Sequence, residues 1–517
     1  KQVIDKPREA SLTFSDKLDR FTLGRFTGIP FFLVVMYIMF IVAVKFGSVF
    51  IDFFDILFNT IFVQGVAYLL QMINAPEWLE AILAQGIGSG IQTVATFIPV
   101  IAAMFFCLSF LEDSGYLARA AMVVDRGMRT IGLPGKAFVP MLIGFGCGVP
   151  AIMGTRTLDS VRDRLMSLCM IPFMSCGARL PVYTLFAVIF FPHNASTVVF
   201  ALYLLGIVIA IVTGIILKQT ILPGTITPFI MELPAYRIPT LRGMIHLTWS
   251  RLKSFIFRAG KAIVLMVTVL SLFNSFGTDG SFGHSDSDDS VLTVVSQKLT
   301  PVFEPMGVSN QNWPATVGIF TGIFAKEAVI ATLNSLYSME SQDDDKDDSF
   351  NFINGVTKAL ESIPTNLVDL TDSFLDPLGL TAVDEDMDEV QKDLEISAAT
   401  VSKIETSFGH RSAAFAYLIF ILLYTPCAAA LGAVYREAGL RWTVFVGGWT
   451  FFIGWILATA YYQYTLLADT PTARYWLSAI AMIFIIVLLI MKLVGRFVHA
   501  NQIKMKKTAE CGKDCCC

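Results

Sequence analysis

The chain has 517 residues, of which 55% are hydrophobic and only 15% are charged. Its mean hydropathy of +0.64 is too apolar for a soluble chain of this length, so a bilayer must be its solvent. The formal net charge of -4 decides little, because the distribution of charge among membrane loops matters more than its sum. No nucleic-acid partner is predicted, and no catalytic or nucleotide-binding motif is found.

Apolar segments of about 20 residues predict the membrane spans in chain order. Residues 1–27 are polar and carry six Lys or Arg, and the first span begins near Gly28. We predict eight crossings, at 28–50, 93–112, 165–192, 198–218, 258–276, 412–434, 443–466 and 474–496. Two further apolar segments, 137–155 and 315–337, contain glycines or charge, which favours re-entrant or broken helices. The predicted fold class is therefore an all-α polytopic membrane protein of about eight transmembrane helices plus two re-entrant or broken segments.

Positive charge sorts the loops between the two sides of the membrane. The predicted cytoplasmic loops hold 25 Lys or Arg and the opposite loops hold six, which predicts that both termini are cytoplasmic. In this topology the order of span, broken segment, span and span occurs at 93–218 and, inverted, at 258–466. An inverted repeat of this kind places a substrate site near the midplane of the bilayer.

The predicted organisation has seven regions in chain order. They are a cytoplasmic linker with an amphipathic segment (1–27), a first transmembrane helix with a periplasmic segment (28–92), a first repeat (93–218), a basic cytoplasmic loop (219–257), a second repeat (258–466) with an acidic periplasmic insertion (339–411), a last transmembrane helix (467–496) and a Cys-rich cytoplasmic tail (497–517).

The first candidate site is the segment GFGCGVPAIMG within the first repeat. Sulfur or charge inside an apolar segment is costly, which makes each such side chain a candidate for function. Cys147 and Met153, with loosened backbone carbonyls, suit borderline or soft cations such as Fe²⁺, Zn²⁺ or Cu⁺. The residues predicted to break the helix are Gly144, Gly146, Gly148 and Pro150. The alternative is a close-packing glycine motif around an inert thiol.

The second candidate site is the segment PFMSCGARLP in the next predicted span. Its two prolines free backbone groups, which Ser175, Cys176 and Arg179 are placed to satisfy. Arg179 keeps its proton and therefore needs an acidic partner or an aqueous cavity. Glu327 is one candidate partner, and a purely structural ion pair is the alternative to a role in transport.

In the second repeat, Lys326 and Glu327 are adjacent and point about 100° apart on a helix. Glu327 is predicted to bind a cation or take up a proton, or else to form a salt bridge that holds the broken helix. Thr425 and Cys427 occupy the place in the second repeat that Ser175 and Cys176 occupy in the first. Cys176 facing Cys427 would give a two-thiol site at the midplane, whereas simple packing is the alternative for Cys427.

The C-terminal tail has four further cysteines. They are Cys511, Cys515, Cys516 and Cys517. A cytoplasmic metal-handling, redox or acylation site is one interpretation of this tail. A dispensable terminus is the other.

Five segments of the chain resemble the FeoB ferrous iron transporters of bacteria. These are 16–40, 144–158, 171–183, 324–333 and 422–433. The resemblance implies two gate modules, each with a cysteine in the iron path, and Cys176 and Cys427 look like those positions. It implies import of Fe²⁺ as substrate across the bacterial inner membrane, with small cytoplasmic Feo proteins as expected partners. A homo-oligomer is a separate expectation, and the sequence does not decide the oligomeric state. It also implies an N-terminal domain, expected outside this chain, that hydrolyses GTP with Mg²⁺.

Three other functions remain open at this point. Thiols favour Zn²⁺ over Fe²⁺ in simple affinity order, so a transporter of Zn²⁺ or Mn²⁺ is one alternative. A transporter of organic solutes such as nucleosides is another. The third is a metal-sensing membrane receptor that binds without conducting.

Overall fold

The chain was described from a computed structural model. The structure describes residues 14–24, 27–224, 236–277, 290–324, 326, 328–338, 352–372, 398–467 and 471–511. Within these ranges the regular structure is helical, with no β-strand. Seven helical segments in this part of the chain are long and apolar enough to cross a membrane: Gly28–Met72, Glu77–Asp113, Val161–Phe190, Ala195–Gln219, Arg411–Ala438, Leu440–Thr465 and Thr472–Arg496. The predicted all-α polytopic membrane fold is thus confirmed.

The N-terminal region is a helical hairpin preceded by a short amphipathic helix. Its helices are α1 (Phe14–Thr22), α2 (Gly28–Ser48), α3 (Ile51–Phe58), α4 (Gly65–Met72), α5 (Glu77–Glu80) and α6 (Ser89–Asp113). π-helical turns at Asn59–Gln64 and Ala81–Gly88 continue the two arms. The hairpin turns where Asn74 adopts a left-handed φ of 49° and Pro76 opens the next helix, the usual residues for a helix end and a helix start.

Helix α1 is fastened to the first repeat by a buried ion pair. Asp19 accepts hydrogen bonds from Nε and Nη2 of Arg119 at 2.5 and 3.1 Å, and Arg119 is only 1% exposed. The ring of Tyr236 lies over the same guanidinium, 3.8 Å from its carbon. A bidentate pair of this kind fixes both position and orientation, so α1 is held firmly against the helix that follows α6.

The first repeat continues from α6 into six further helices. They are α7 (Tyr116–Ile131), α8 (Phe138–Ile143), α9 (Gly148–Gly154), α10 (Val161–Met170), α11 (Leu180–Phe190) and α12 (Ala195–Gln219). Two of the predicted segments are broken here. The predicted break at 137–155 separates α8 from α9, and the segment predicted as a full crossing at 165–192 is interrupted between α10 and α11.

The region predicted as the second repeat, with the helix that leads into it, follows in the chain. Its helices are α13 (Leu241–Phe255), α14 (Lys261–Ser275), α15 (Val291–Leu299), α16 (Trp313–Phe324), α17 (Ala328–Ser338), α18 (Phe352–Asp372), α19 (Ala398–Phe408), α20 (Arg411–Leu423), α21 (Ala428–Ala438) and α22 (Leu440–Thr465). The last helix is α23 (Thr472–Cys511). The predicted span at 258–276 corresponds to α14, which is shorter than the seven spans and continues from α13 through a π-helical turn.

The broken segments α10–α11 and α20–α21 form the centre of the protein. In the most apolar 18-residue stretch of each segment, 72% and 78% of the residues are buried. The corresponding share in the first part of α23 is 11%. The rings of Phe186 in α11 and Tyr417 in α20 stack with centroids 5.3 Å apart, and Phe408 meets both edge-on. The two repeats therefore share one core, and the last helix leaves most of its apolar surface for lipid.

Candidate functional site

The first helix break lies between α10 and α11. A short 3₁₀ turn from Ile171 ends at Phe173, and the chain is extended through Cys176 before a second 3₁₀ turn leads into α11. Pro172 and Pro181 at the two turns lack a backbone N–H, which favours a break here over a continuous helix. The buried Ser175 hydroxyl donates to the hydroxyl of Tyr183 at 3.1 Å. Cys176 is half-buried and its neighbour Gly177 is exposed.

The second helix break lies between α20 and α21. The backbone of Tyr424 and of Cys427 is extended, and α21 begins at Ala428. The Thr425 hydroxyl donates to the carbonyl of Gly447 in α22 at 3.2 Å, which ties the break to the helix behind it. Cys427 is half-buried. Both predicted cysteines thus occupy interrupted, partly open backbone in the middle of otherwise buried segments.

Arg179 connects the two breaks. Its side chain is 3% exposed, and Nη1 donates to the carbonyl of Leu422 at 2.6 Å and to that of Pro172 at 3.4 Å. The Leu422 carbonyl is one of those left without an intrahelical partner at the end of α20, where a cation is favoured by the helix dipole. Arg179 follows Cys176 by three residues, and its acceptor Leu422 precedes Cys427 by five. Arg179 therefore joins the two segments that carry the cysteines.

Lys326, from the segment between α16 and α17, holds the second break. Its Nζ donates to the carbonyl of Thr425 at 2.8 Å. The same ammonium sits 3.2 Å from the ring centroid of Tyr424, a cation–π contact. Lys326 therefore contacts the backbone that presents Cys427. Glu327, its predicted companion and the predicted partner of Arg179, lies outside the described residues, as do Cys515, Cys516 and Cys517.

The glycine-rich break between α8 and α9 packs against both cysteine breaks. A Cβ on Gly144 would lie 3.2 Å from Cβ of Met174 in the first break, and one on Gly148 would lie 3.7 Å from Cβ of Ala430 in α21. Cys147 is half-buried at the start of α9. Among the other residues predicted here, Pro150 is buried, while Gly146 and Met153 are half-buried.

Two glycines that the sequence analysis did not identify support the breaks. A Cβ on Gly206 of α12 would lie 2.6 Å from the carbonyl oxygen of Phe173, and one on Gly454 of α22 would lie 3.0 Å from the backbone nitrogen of Tyr424. In each repeat, the closing helix therefore touches the backbone of the break through a residue without a side chain. A glycine in the interior of an apolar helix was the available signal.

One exposed ion pair joins the repeats near the ends of α9 and α21. Nε of Arg156 donates to Glu437 at 2.7 Å. This hydrogen bond raises the pKa of the Arg156 side chain, so its guanidinium keeps its charge. The polar contacts between the repeats thus include an ion pair at this edge and a hydrogen bond from Arg179 at the centre.

The described residues hold no group of three or more His, Cys, Asp or Glu side chains placed to bind a metal ion. The assembled groups are instead separate thiols, hydroxyls and backbone carbonyls around a buried cation. Such a set suits brief contact with a partly dehydrated ion, since conduction requires binding that is weak enough to release.

Comparison with known proteins gives matches to two family models. The Gate model, described as "Nucleoside recognition", matches residues 94–190 and 256–441, more than half of the chain. The model described as "Ferrous iron transport protein B C terminus" matches residues 199–251. No solved structure matches the chain.

Curated relatives match almost the whole chain. Two proteins named "Fe(2+) transporter FeoB" are similar to it: one from Legionella pneumophila (strain Lens) at 45% identity over 95% of this chain, and one from Escherichia coli (strain K12) at 42% over 97%. The chain spans 64% of the length of each of these relatives. The chain therefore belongs to the Gate family, whose model matches more than half of it, and along almost its whole length it is similar to the FeoB transporters.

Proposed function

We propose that this chain carries ferrous iron across the bacterial inner membrane into the cytoplasm. The name of the relatives supports Fe²⁺ as the substrate. The single observation that carries the proposal is that two helix breaks, each with a half-buried cysteine, are joined by the hydrogen bond from Arg179 to the Leu422 carbonyl. A membrane protein tolerates irregular backbone at depth only where it is buried in protein or lines a wet cavity, which fits a path for an ion.

The chemistry of the breaks suits a dehydrating divalent cation. Cys176 and Cys427 supply sulfur, which Fe²⁺ accepts and which Na⁺ or Mg²⁺ does not favour. Ser175 and Thr425 supply hydroxyls beside them, and Cys147 and Met153 supply further sulfur on the adjoining broken helix. These groups together replace water around the ion, while each alone holds it only weakly.

The rest of the transport system is proposed from the resemblance. Both termini face the cytoplasm, in agreement with the distribution of Lys and Arg among the loops. A GTP-binding domain that uses Mg²⁺ drives or regulates the pore, and small cytoplasmic Feo proteins and a homo-oligomer are its partners. Helix α1, fixed to Arg119 through Asp19, is the element through which movement on the cytoplasmic side reaches the first repeat.

The direct test is anaerobic uptake of ⁵⁵Fe²⁺ by proteoliposomes. The double variant Cys176→Ser with Cys427→Ser loses both sulfur ligands, and we expect its initial uptake to fall about 10-fold or more. Cys169→Ser is the matched control, because Cys169 lies in α10 and is 0% exposed. Equal uptake by the wild type and the double variant would remove the thiols from the path.

Added arms of the same experiment separate the alternatives. If Zn²⁺ or Mn²⁺ inhibits iron uptake and itself accumulates in the proteoliposomes, a different divalent metal is the favoured substrate. Iron binding without accumulation would indicate a receptor. The Gate model's description favours nucleosides as the second candidate class, so uptake of radiolabelled uridine in place of iron, unaffected by loss of both thiols, would support it.

A further inference from the structure

Arg179, like Lys326, is a buried cation that donates to a backbone carbonyl. The described residues form six ion pairs, and Arg179 takes part in none of them. The equally buried Arg119 has the carboxylate of Asp19. Within the part of the chain that the structure describes, Nη1 of Arg179 has only backbone carbonyls as acceptors and its buried Nε has no hydrogen-bond partner. Burying a charge in this way is costly, which calls for a functional reason.

The position of this charge is fixed. The bond of 2.6 Å to the Leu422 carbonyl holds the guanidinium at the carboxyl end of α20, where the helix dipole favours a cation. Arg179 follows Cys176 by three residues, and Leu422 precedes Cys427 by five. An ion passing between the two cysteine segments would therefore meet a positive charge that is held in place by this hydrogen bond.

The guanidinium weakens cation binding whichever form the cysteines take in the empty site. If they are thiolates, it attracts them, and that attraction is lost once a divalent ion neutralises their charge. If they are neutral thiols, it repels the incoming ion directly. Both effects stabilise the empty site relative to the occupied one, and both are strong where water is scarce.

We infer that Arg179 is a release residue: a fixed positive charge that keeps the Cys176–Cys427 site from retaining the divalent cation it passes. Thiol ligands alone tend to hold borderline metals tightly, whereas transport requires that the ion leave. Arg179 thereby lowers the affinity of the site for the ion and raises the rate at which the ion leaves. This inference rests on the proposed function, and it adds a positioning residue that acts on the ion without binding it.

The test compares two substitutions at this position in the reconstituted protein. Arg179→Gln removes the charge but retains an N–H donor for the Leu422 carbonyl, and Arg179→Lys retains both charge and donor. Anaerobic equilibrium dialysis with Fe²⁺ measures affinity, and ⁵⁵Fe²⁺ uptake at saturating iron measures turnover. For Arg179→Gln we expect about 10-fold tighter binding and about 10-fold slower saturating uptake, with Arg179→Lys close to the wild type in both.

A merely structural role gives a different pattern. Weaker or unchanged iron binding in Arg179→Gln, or an Arg179→Lys that behaves like Arg179→Gln, would overturn the inference. If Arg179→Gln does not fold, Arg179→His places a titratable charge at the same position. The ratio of its iron affinity to that of the wild type, measured at the same pH, should then rise from pH 5.5 to 8.5 as the imidazole loses its charge. A ratio that does not change with pH would also overturn the inference.

The two measurements keep this inference separate from the proposed transport. Dialysis needs no flux, so tighter binding by Arg179→Gln would stand even if the wild type accumulated no iron. Failure of wild-type uptake alone would count against transport. Unchanged dialysis constants alone would count against Arg179.

Discussion

The two cysteine breaks occupy corresponding places in the two repeats but are held in different ways. The break before α11 is held by a neutral bond between Ser175 and Tyr183 and by a long bond of 3.4 Å from Arg179 to the Pro172 carbonyl, and the exposed Gly177 follows its cysteine. The break before α21 is held by two buried cations, Lys326 from the same repeat and Arg179 from the other. The first break thus has weaker restraints and open space beside it, and the second is clamped. From this difference we expect the first repeat to supply the movable side of the proposed path.

Thiol accessibility gives the largest expected difference. We expect N-ethylmaleimide to modify Cys176 fastest, Cys427 more slowly and Cys169 about 100-fold more slowly than Cys176, because labelling of a fully buried thiol requires local opening. Mass spectrometry of digested protein measures each rate. Saturating Fe²⁺ should protect Cys176 and Cys427 and leave the rate at Cys169 unchanged. Faster labelling of Cys427 than of Cys176 would reverse the assignment of movable and clamped sides.

Removal of the ammonium that clamps the second break should cost the most stability. Lys326→Met deletes a charged hydrogen bond to the Thr425 carbonyl and the contact with the Tyr424 ring, at about 2–3 kcal/mol. Thermal unfolding in detergent measures the change. Lys218→Met is the control, since Lys218 also donates to a backbone carbonyl, that of Thr130, but at 3.4 Å and in an exposed position. Equal losses of thermal stability for the two variants would show that the Lys326 contacts stabilise the protein no more than an exposed lysine does.

The glycine contacts on the two breaks should respond to a single methyl group. Gly206→Ala places Cβ 2.6 Å from an oxygen and Gly454→Ala places it 3.0 Å from a nitrogen, whereas Gly448 in the same helix as Gly454 has open space. We expect destabilisation of about 2 kcal/mol for Gly206→Ala and about 1 kcal/mol for Gly454→Ala. Gly448→Ala should be neutral or stabilising. The order of the three Tm values checks this, and a destabilised Gly448→Ala would contradict it.

The hydroxyl pair of the first break should have the smallest effect. Ser175→Ala leaves the Tyr183 hydroxyl without its donor, which costs about 1 kcal/mol. The double variant Ser175→Ala with Tyr183→Phe should cost less than the sum of the single changes, since the two side chains share one bond. A loss for Ser175→Ala as large as that for Lys326→Met would mean that the two breaks are equally restrained.

Composition and local pattern were sufficient for the fold class and for part of the site. Glycines around Cys147 and the charge at Lys326 correctly predicted breaks between α8 and α9 and between α16 and α17. The segments around Cys176 and Cys427 were predicted as full crossings loosened by proline, and the structure interrupts both. A run of apolar residues long enough to span a bilayer does not by itself distinguish one helix from two short ones with 3₁₀ turns.

The partners of the buried cations could not be predicted, for a physical reason. Arg179 was expected to meet a carboxylate or water, and its described acceptors are backbone carbonyls. Every residue has a carbonyl, so the sequence carries no sign of which one a side chain will reach. The contacts of Gly206 and Gly454 depend in the same way on tertiary packing, because the residues that they touch lie more than 25 positions away.

Iron K-edge X-ray absorption of the anaerobic Fe²⁺-loaded protein tests the central claim most directly, because it counts the sulfur atoms bound to the ion. We predict that the Cys176→Ser and Cys427→Ser variants each lose one sulfur from the wild-type shell, near ~2.3 Å from the metal, and that Cys169→Ser loses none. A wild-type shell of oxygen and nitrogen alone, or one unchanged in both single variants, would contradict a site shared by the two breaks.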